Sequence, residues 1–95
     1  MSCYVVARVA IHDRAAYDRY ASQFMRVLGR YDGRLLVSEE RPEPMEGDWD
    51  GRKLVVLSFA DRGAALTWAN SAEYQEIAKD RVAGADTIAV MAQGF

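Results

Sequence analysis

The chain has 95 residues, a hydrophobic fraction of 51%, 12 basic and 14 acidic side chains, and a formal net charge of −2. A chain of this length has room for one hydrophobic core, so we expect a single domain over residues 1–95. The apolar fraction excludes wholesale disorder. No lysine- or arginine-rich run is present, which argues against nucleic acid and anionic membranes as partners.

Three further features indicate where the protein resides. The single cysteine, Cys3, cannot form a disulfide within the chain, as is typical of a reducing compartment. No apolar run approaches the roughly 20 residues that a membrane-spanning helix needs. Residues 4–11 are too short for the apolar core of a signal peptide and contain Arg8. We therefore expect a cytoplasmic protein.

The first half of the chain reads as a strand, a helix and a second strand. Residues 4–11 are rich in β-branched side chains and predict a strand. Apolar residues at helical spacing predict an amphipathic helix over about residues 14–31, with Asp13 as its N-cap and Gly33 in the left-handed position after its end. Residues 34–40 predict the second strand, which the prolines at 42 and 44 terminate.

The second half reads as a strand, a helical region and a last strand. Residues 53–59 predict the third strand, and Asp61 caps a short helix over residues 64–69. Asn70 and Glu73 have the spacing of a capping box, which predicts a further helix that extends to about Val82 and is broken by Gly84. Residues 87–92 predict the fourth strand. The order βαββαβ indicates an α+β, ferredoxin-like fold: a four-stranded antiparallel sheet with the helices on one face.

Alternation along the strands predicts two unlike sheet faces. The set expected to face the helices is wholly apolar: Val5, Ala7, Val9, Ile11, Leu35, Val37, Val55, Leu57, Phe59, Ile88, Val90 and Ala92. The other set is mixed: Tyr4, Val6, Arg8, Ala10, Leu36, Ser38, Glu40, Leu54, Val56, Ser58, Thr87, Ala89, Met91 and Gln93. Such an apolar face is typical of an interface, so we expect a homodimer through the non-helical sheet face, with the polar residues lining a cavity between or beside the sheets.

The run MEGDWDGR at residues 45–52 places a tryptophan on a glycine-punctuated loop between two strands. A loop that only turns the chain does not need Trp49, so we expect a partner subunit or a ligand to cover this ring. Arg34 and Arg52 flank the second and third strands, where they can clamp a carboxylate or remain solvated.

Other residues have both a functional and a structural interpretation. His12 is a candidate general base, but its place at a strand end favours a turn residue. Arg8 and Glu40 can bind a polar ligand, or pair with each other or across a dimer. Tyr74 can direct its hydroxyl into a cavity. Arg81 ends a helix, where it complements the dipole or holds an anion.

Two classes of function remain open from the residues. The first is a dimer that binds a small organic ligand, with an anion as one candidate, or that acts on it by proton transfer or cofactor-free oxidation. Tyr74 or His12 would then be the acid or base and Arg81 or Arg34 would stabilise the anion. The second is a structural or interaction module without catalysis. One histidine, one cysteine and scattered carboxylates make no metal-ligand set, and no phosphate-binding loop is present, so we expect neither a metal nor a cofactor.

The order of several short motifs resembles domain-of-unknown-function family 1330, whose fold belongs to the dimeric α+β barrel superfamily. The motifs are YVV at 4–6, YDRY at 17–20, YDGRLLV at 31–37, MEGDW at 45–49, LVVLSF at 54–59, AALTW at 64–68, SAEY at 71–74, and Arg81. They span nearly the whole chain. Two positions depart from the family pattern, because Asp32 stands where glycine is usual and Ala72 where proline is usual.

The resemblance implies a dimer of ferredoxin-like subunits with no established activity. Its superfamily contains cofactor-independent monooxygenases, isomerases, haem-handling proteins and ligand-binding domains, and function within it depends on the pocket rather than on the fold. The resemblance also implies that the better candidates for ligand binding are Arg34, Trp49, Arg52, Tyr74 and Arg81.

Overall fold

A computed structural model describes residues 2–95. The elements are β1 (Cys3–Ile11), α1 (Arg14–Arg30), β2 (Arg34–Glu39), β3 (Lys53–Phe59), α2 (Arg62–Ala69), α3 (Ala72–Gly84) and β4 (Ala85–Gln93). The sheet is antiparallel with strand order β2-β3-β1-β4. The ferredoxin-like α+β arrangement is thus confirmed. Within residues 2–95, no helix combines the length and apolarity needed to cross a bilayer.

Two of the three predicted helix caps are confirmed. Asp13 accepts a hydrogen bond from the backbone N–H of Ala16 at 3.3 Å and begins α1. Asp61 accepts one from Ala64 at 2.8 Å and begins α2. Each carboxylate satisfies a backbone donor that the first helical turn leaves unpaired.

The predicted capping box at Asn70 is wrong by one residue. Ser71 is the N-cap of α3, and its hydroxyl accepts a hydrogen bond from the Tyr74 N–H at 3.1 Å. Asn70 instead closes α2. Glu73 turns away from the cap and accepts a hydrogen bond from Arg30 Nη1 at 2.8 Å, which ties α3 to the end of α1.

The predicted orientation of β4 is also wrong. In the antiparallel register, Ala7 pairs with Ala89 and Val9 pairs with Thr87, and paired residues share a face. Thr87, Ala89 and Met91 therefore face the helices. The residues expected there lie on the opposite face: Ile88, Val90 and Ala92. Both alternating sets of β4 are largely apolar, so the sequence pattern did not determine which set points inward.

A β-bulge reverses the end of β2. The register against β3 shifts between Leu35 and Val37, so that Leu36 is an extra residue. The shift places Val37 on the face away from the helices and Ser38 on the helix side, the reverse of the prediction. Alternation cannot reveal such an insertion, because a bulge is a property of the strand pair.

The sheet face away from the helices, here called the outer face, is largely apolar at its centre and carries most of its charged residues at strand ends. Its members are Tyr4, Val6, Arg8, Ala10, Arg34, Val37, Glu39, Leu54, Val56, Ser58, Asp86, Ile88, Val90 and Ala92. Ile88 is 48% exposed and Val90 is 57% exposed. A contiguous apolar surface of this kind is typical of a contact with another protein chain.

The left-handed residue after α1 is Asp32, not Gly33 as predicted. Asp32 has φ +58°, at the position where the resembled family usually has glycine. Gly33 is required for packing instead, because a Cβ there would overlap the side chains of Leu28 and Phe59. In this turn an aspartate therefore adopts a backbone conformation that favours glycine.

Gly84 joins the end of α3 to the start of α1. Its carbonyl accepts hydrogen bonds from the backbone N–H groups of His12 at 2.9 Å and Asp13 at 3.0 Å. A Cβ at this position would lie 2.6 Å from the backbone nitrogen of Tyr17 and 2.8 Å from the carbonyl oxygen of Asp13. Backbone atoms cannot yield as a flexible side chain can, so this contact admits only glycine.

We expect Gly84→Ala to lower the free energy of unfolding by about 1–3 kcal/mol, because the added methyl group overpacks a backbone junction. Gly29→Ala is the matched control, since a Cβ at position 29 meets no atom within 4 Å. The control should leave stability unchanged or raise it by up to about 1 kcal/mol. Urea unfolding measures both, and equal midpoints would contradict the assignment of Gly84 as a close contact.

We expect Asp32→Gly to raise the free energy of unfolding by up to about 1 kcal/mol, because glycine adopts positive φ without steric cost. Asp32→Ala retains a Cβ and should not stabilise the protein. Thermal unfolding of the two variants compares them directly. A stabilising alanine would mean that the loss of the carboxylate, and not the relief of backbone conformation, is responsible.

Candidate functional site

The principal cavity lies between the helices and the sheet, with a volume of about 580 Å³. Its floor is the helix-facing side of the central strands: Val5, Ala7, Val9, Val55 and Leu57. This volume falls within the range of roughly 300–1,000 Å³ that is common for small-molecule sites. The sequence had placed a cavity on the outer face; in a single chain, this cavity lies on the other side of the sheet.

Four aromatic rings form one part of the cavity wall, which we call the aromatic end. Tyr20 and Phe24 come from successive turns of α1, while Trp68 lies on α2 and Tyr74 on α3. The ring centroids of Trp68 and Tyr74 are 4.2 Å apart, and those of Phe24 and Trp68 are 6.2 Å apart. These tilted and edge-on contacts fix the three helices relative to one another and present a rigid apolar wall.

The hydroxyls of Tyr20 and Tyr74 form a buried hydrogen bond of 2.9 Å. Burial, with a further contribution from Tyr74, raises the pKa of Tyr20 well above its ordinary value, so Tyr20 stays protonated at neutral pH. Two hydroxyls carry two hydrogens, and their mutual bond uses one of them. The pair therefore retains one hydrogen that it can donate to an acceptor in the cavity.

The opposite part of the wall, which we call the cationic end, consists of two cations, Lys53 and Arg81, and two neutral residues, Thr87 and Tyr17. Lys53 and Thr87 both pair with Val9, so they flank the same residue of β1 on the helix side. Lys53 Nζ lies 5.0 Å from the centroid of the Tyr17 ring. Burial lowers the pKa of Lys53, because removal from water disfavours its charge.

Tyr17 lies within the field of both cations. Its pKa is raised chiefly by burial and further by the charge of Glu40, while Arg81 acts to lower it. Arg81 follows Tyr74 by two turns of α3, so the two side chains lie on one face of that helix. The cationic end and the aromatic end are thus connected by a single helix face.

The acid that acts most strongly on Lys53 is Glu40, which is already paired with Arg14 and does not line the cavity. In the described part of the chain, no aspartate or glutamate lines the cavity, and neither Lys53 nor Arg81 forms an ion pair. Three cavity-lining residues each have a buried polar atom without a hydrogen-bond partner in residues 2–95: Arg81 Nε, Trp68 Nε1 and Thr87 Oγ1. Buried charges are normally paired. The arrangement is suited to an anion.

Of the five candidate ligand-binding residues, the structure brings Tyr74 and Arg81 together at the cavity. Arg34, Trp49 and Arg52 are not among the residues that line it. Arg34 pairs in register with Ser58 and is exposed on the outer side of the sheet.

The Trp49 loop forms a separate cluster beside the outer face. Trp49 is half-buried, and its Nε1 donates a hydrogen bond to the carbonyl oxygen of Arg52 at 2.7 Å. Arg8 lies over the ring, with Cζ 5.9 Å from the centroid. Asp50 pairs with both arginines, at 3.4 Å from Arg8 and 2.9 Å from Arg52. The ring is therefore covered in part by an arginine of the same chain.

Three further sequence candidates also lie outside the cavity. His12 is exposed, and its Nε2 is 3.8 Å from Asp86. Arg8 and Glu40 were expected on one face, but the bulge in β2 carries Glu40 to the helix side. There Glu40 accepts two hydrogen bonds from Arg14, at 2.8 and 2.9 Å. The expectation that Arg8 and Glu40 share a face is wrong for this reason.

Sequence reasoning missed Lys53, Tyr17, Tyr20 and Thr87. A signal for Lys53 was present, because it is in phase with Val55, Leu57 and Phe59, the apolar set of β3. A lysine in phase with a buried set indicates a charge directed toward the interior. Within residues 2–95, no group of three or more His, Cys, Asp or Glu side chains is placed to hold a metal ion.

Solved structures share this fold at low sequence identity. A protein of unknown function from Rhodopseudomonas palustris is 15% identical with a TM-score of 0.81, and the match covers 99% of this chain and 82% of that one. A dimeric ferredoxin-like protein of unknown function from Jannaschia sp. CCS1 is 16% identical with a TM-score of 0.70, covering 99% and 100%. SnoaB, a cofactor-independent oxygenase from Streptomyces nogalater, is 16% identical with a TM-score of 0.65, covering 99% and 93%. At these identities the likeness shows the fold alone.

No curated protein matches the sequence. A family defined by sequence does match it, under the description "Domain of unknown function (DUF1330)", over residues 2–95. The match extends over both sheet faces, all three helices and the Trp49 loop. The chain therefore belongs to the DUF1330 family, as the order of its motifs predicted.

Proposed function

We propose that this protein binds a small organic molecule in the cavity between the helices and the sheet. The observation that carries the proposal is the combination of a rigid aromatic wall with two cations and no acid among the lining residues. A cavity that served only as a packing defect would be apolar throughout, since an unpaired charge at its wall costs stability.

Catalysis is a second candidate, favoured by the buried hydroxyl pair of Tyr20 and Tyr74. SnoaB, which has the same fold, is an oxygenase that works without a cofactor. Burial raises the pKa of Tyr20, so this pair is suited to donating a hydrogen bond to an anion rather than to removing a proton. His12 lies outside the cavity. The geometry therefore supports binding more directly than turnover.

The alternative of a purely structural module is disfavoured by Arg81. An arginine retained only for stability should have a carboxylate partner, as Arg14, Arg19 and Arg30 have. Arg81 is half-buried and has no carboxylate partner among residues 2–95. Its replacement by alanine should abolish ligand binding and leave the fold intact; a change in stability alone would favour the structural module.

The indole resonances of the two tryptophans test the location of the site. We expect small aromatic compounds to shift the Nε1–H resonance of Trp68, which lines the cavity without a hydrogen-bond partner. The resonance of Trp49 is the internal control, because its Nε1–H is engaged by Arg52 beside the outer face. Spectra of isotope-labelled protein, assigned with Trp49→Phe, record both. Shifts confined to Trp49 would contradict the cavity.

Filling the cavity tests the same proposal from the protein side. Ala89→Leu adds bulk to an exposed, cavity-lining position of β4, and we expect it to weaken binding about tenfold or more by steric exclusion. Ala83→Leu is the control on an exposed position of α3 that does not line the cavity. Titration calorimetry compares the two, and equal affinities would count against this site.

We infer further that the protein is a homodimer through the outer face. Ile88 and Val90 leave a large apolar surface exposed on that face, and the Jannaschia protein of this fold is described as dimeric. A second copy would bury the two outer faces against each other and keep both cavities open, since these lie on the helix side.

Ile88→Glu should convert the dimer to a monomer, because the carboxylate would be desolvated between two apolar faces. Val82→Glu is the control, since Val82 is 66% exposed on α3, away from the outer face. Light scattering after size exclusion gives the masses. A wild-type protein that is monomeric at micromolar concentration would contradict the proposed dimer.

Location in the cytoplasm remains a prediction from the sequence.

A further inference from the structure

We propose that the cavity is specific for an elongated aromatic carboxylate, bound with its carboxylate between Lys53 and Arg81 and its ring against Trp68 and Tyr74. This inference rests on the proposed binding function and adds the chemical class and the direction of the ligand. It depends on the two ends of the cavity being separate, on the unbalanced charge of one end, and on the apolar character of the other.

The register of the sheet separates the two ends. Lys53 and Thr87 lie beside Val9, toward one end of β1. Trp68 packs on Phe59 with ring centroids 5.3 Å apart, and Phe59 pairs with Cys3 at the opposite end of that strand. Six residues of strand separate these two backbone rows, and the rings of Tyr17 and Tyr20, with centroids 5.6 Å apart, occupy part of the interval between them. A ligand that reaches both ends must lie along β1.

The helix above the cavity gives the same direction. Tyr74 and Arg81 lie on one face of α3, two turns and about 10 Å apart along the helix axis. The Tyr74 ring belongs to the aromatic end and the Arg81 guanidinium to the cationic end. A molecule whose ring and carboxylate are joined by a short conjugated chain matches this spacing.

The charge distribution selects an anion. The protein as a whole carries a net charge of −2, yet the cavity wall carries two cations and no acid in the described part of the chain. The guanidinium of Arg81 presents a planar set of donors that suits a carboxylate, and Lys53 supplies a point charge beside it. A neutral ligand of the same shape would supply no charge to either cation and would place apolar surface against both, with the Arg14-paired Glu40 as the acid that acts most strongly on Lys53.

The aromatic end selects against compact anions. Phe24, Trp68 and the ring faces of Tyr20 and Tyr74 offer mainly apolar contact, which inorganic phosphate cannot use. Phosphate would also leave most of the cavity of about 580 Å³ unfilled by the ligand. An aromatic carboxylate can contact both ends of the cavity, whereas a ring alone or a carboxylate alone can contact only one.

The experiment compares cinnamate with cinnamamide, which have the same shape and differ in charge, and includes inorganic phosphate as the compact anion. Titration calorimetry on the wild-type protein should give an affinity for cinnamate about tenfold or more above that for cinnamamide, and weaker binding of phosphate. This comparison needs no substitution, so it does not depend on the folding of any variant.

Substitutions then assign the charge. Arg81→Gln and Lys53→Gln should each reduce the preference for cinnamate by about tenfold while leaving the affinity for cinnamamide nearly unchanged. Arg34→Gln is the control, because Arg34 is an exposed arginine that does not line the cavity. The preference should also fall as the pH rises through the pKa of Lys53, which burial places below the ordinary lysine value although the charges of Glu40 and Asp18 act to raise it and that of Arg14 to lower it.

The outcomes separate this inference from the proposed function. If none of the three compounds binds, the binding function fails and this inference with it. If cinnamate and cinnamamide bind equally, cavity binding stands and the choice of a carboxylate is overturned. If cinnamate is preferred but neither Arg81→Gln nor Lys53→Gln reduces the preference, the assigned orientation is overturned. Tighter binding of phosphate than of cinnamate also overturns it.

Discussion

The close approach of Gly84 to the first turn of α1 determines where the cationic end of the cavity lies. Gly84 is the last residue of α3 and is followed at once by β4, so its position sets the phase of the strand. Arg81 precedes this point by less than one turn of helix, and Thr87 follows it by three residues of strand. Because the backbone of α1 contacts Gly84 directly, Tyr17 is held between the two. One backbone contact thus assembles residues from α1, α3 and β4.

Ion pairing and burial together distinguish Arg81 from the other arginines, because Arg34, Arg41 and Arg62 are also without an ion pair among residues 2–95 but are exposed. On the surface, Arg14, Arg19 and Arg30 are paired with carboxylates of neighbouring elements, and such exposed pairs contribute little to stability, about 0–1 kcal/mol each. These pairs satisfy the arginines and remove them from consideration as ligand-binding groups. Arg81 differs because it is half-buried at a cavity wall that contains no acid in the part of the chain that the structure describes. An unpaired cation has the strongest effect where water is partly excluded.

The sheet separates two roles by its two faces. Residues of β1 and β3 alternate between the cavity floor and the outer face, so the same strands line the cavity on one side and form an apolar surface on the other. A change on the outer face at Ile88 need not alter the cavity, and a change at Ala89 need not alter the outer face. The Trp49 loop belongs to the outer side, where Arg8, Asp50 and Arg52 hold it. The residues of this loop therefore lie beside the outer face and do not line the cavity.

The sequence by itself determined the order of strands and helices, the caps at Asp13 and Asp61, the family, and the two turns of helix that align Tyr74 with Arg81. Each of these depends on residues close together in the chain. Only the tertiary structure decided that Thr87 faces inward, that the bulge at Leu36 reverses the end of β2, and that Lys53 lines the same cavity as Arg81. The physical reason is that strand phase and register depend on pairing between distant segments. Where both alternating sets of a strand are apolar, as in β4, the sequence pattern fits either orientation.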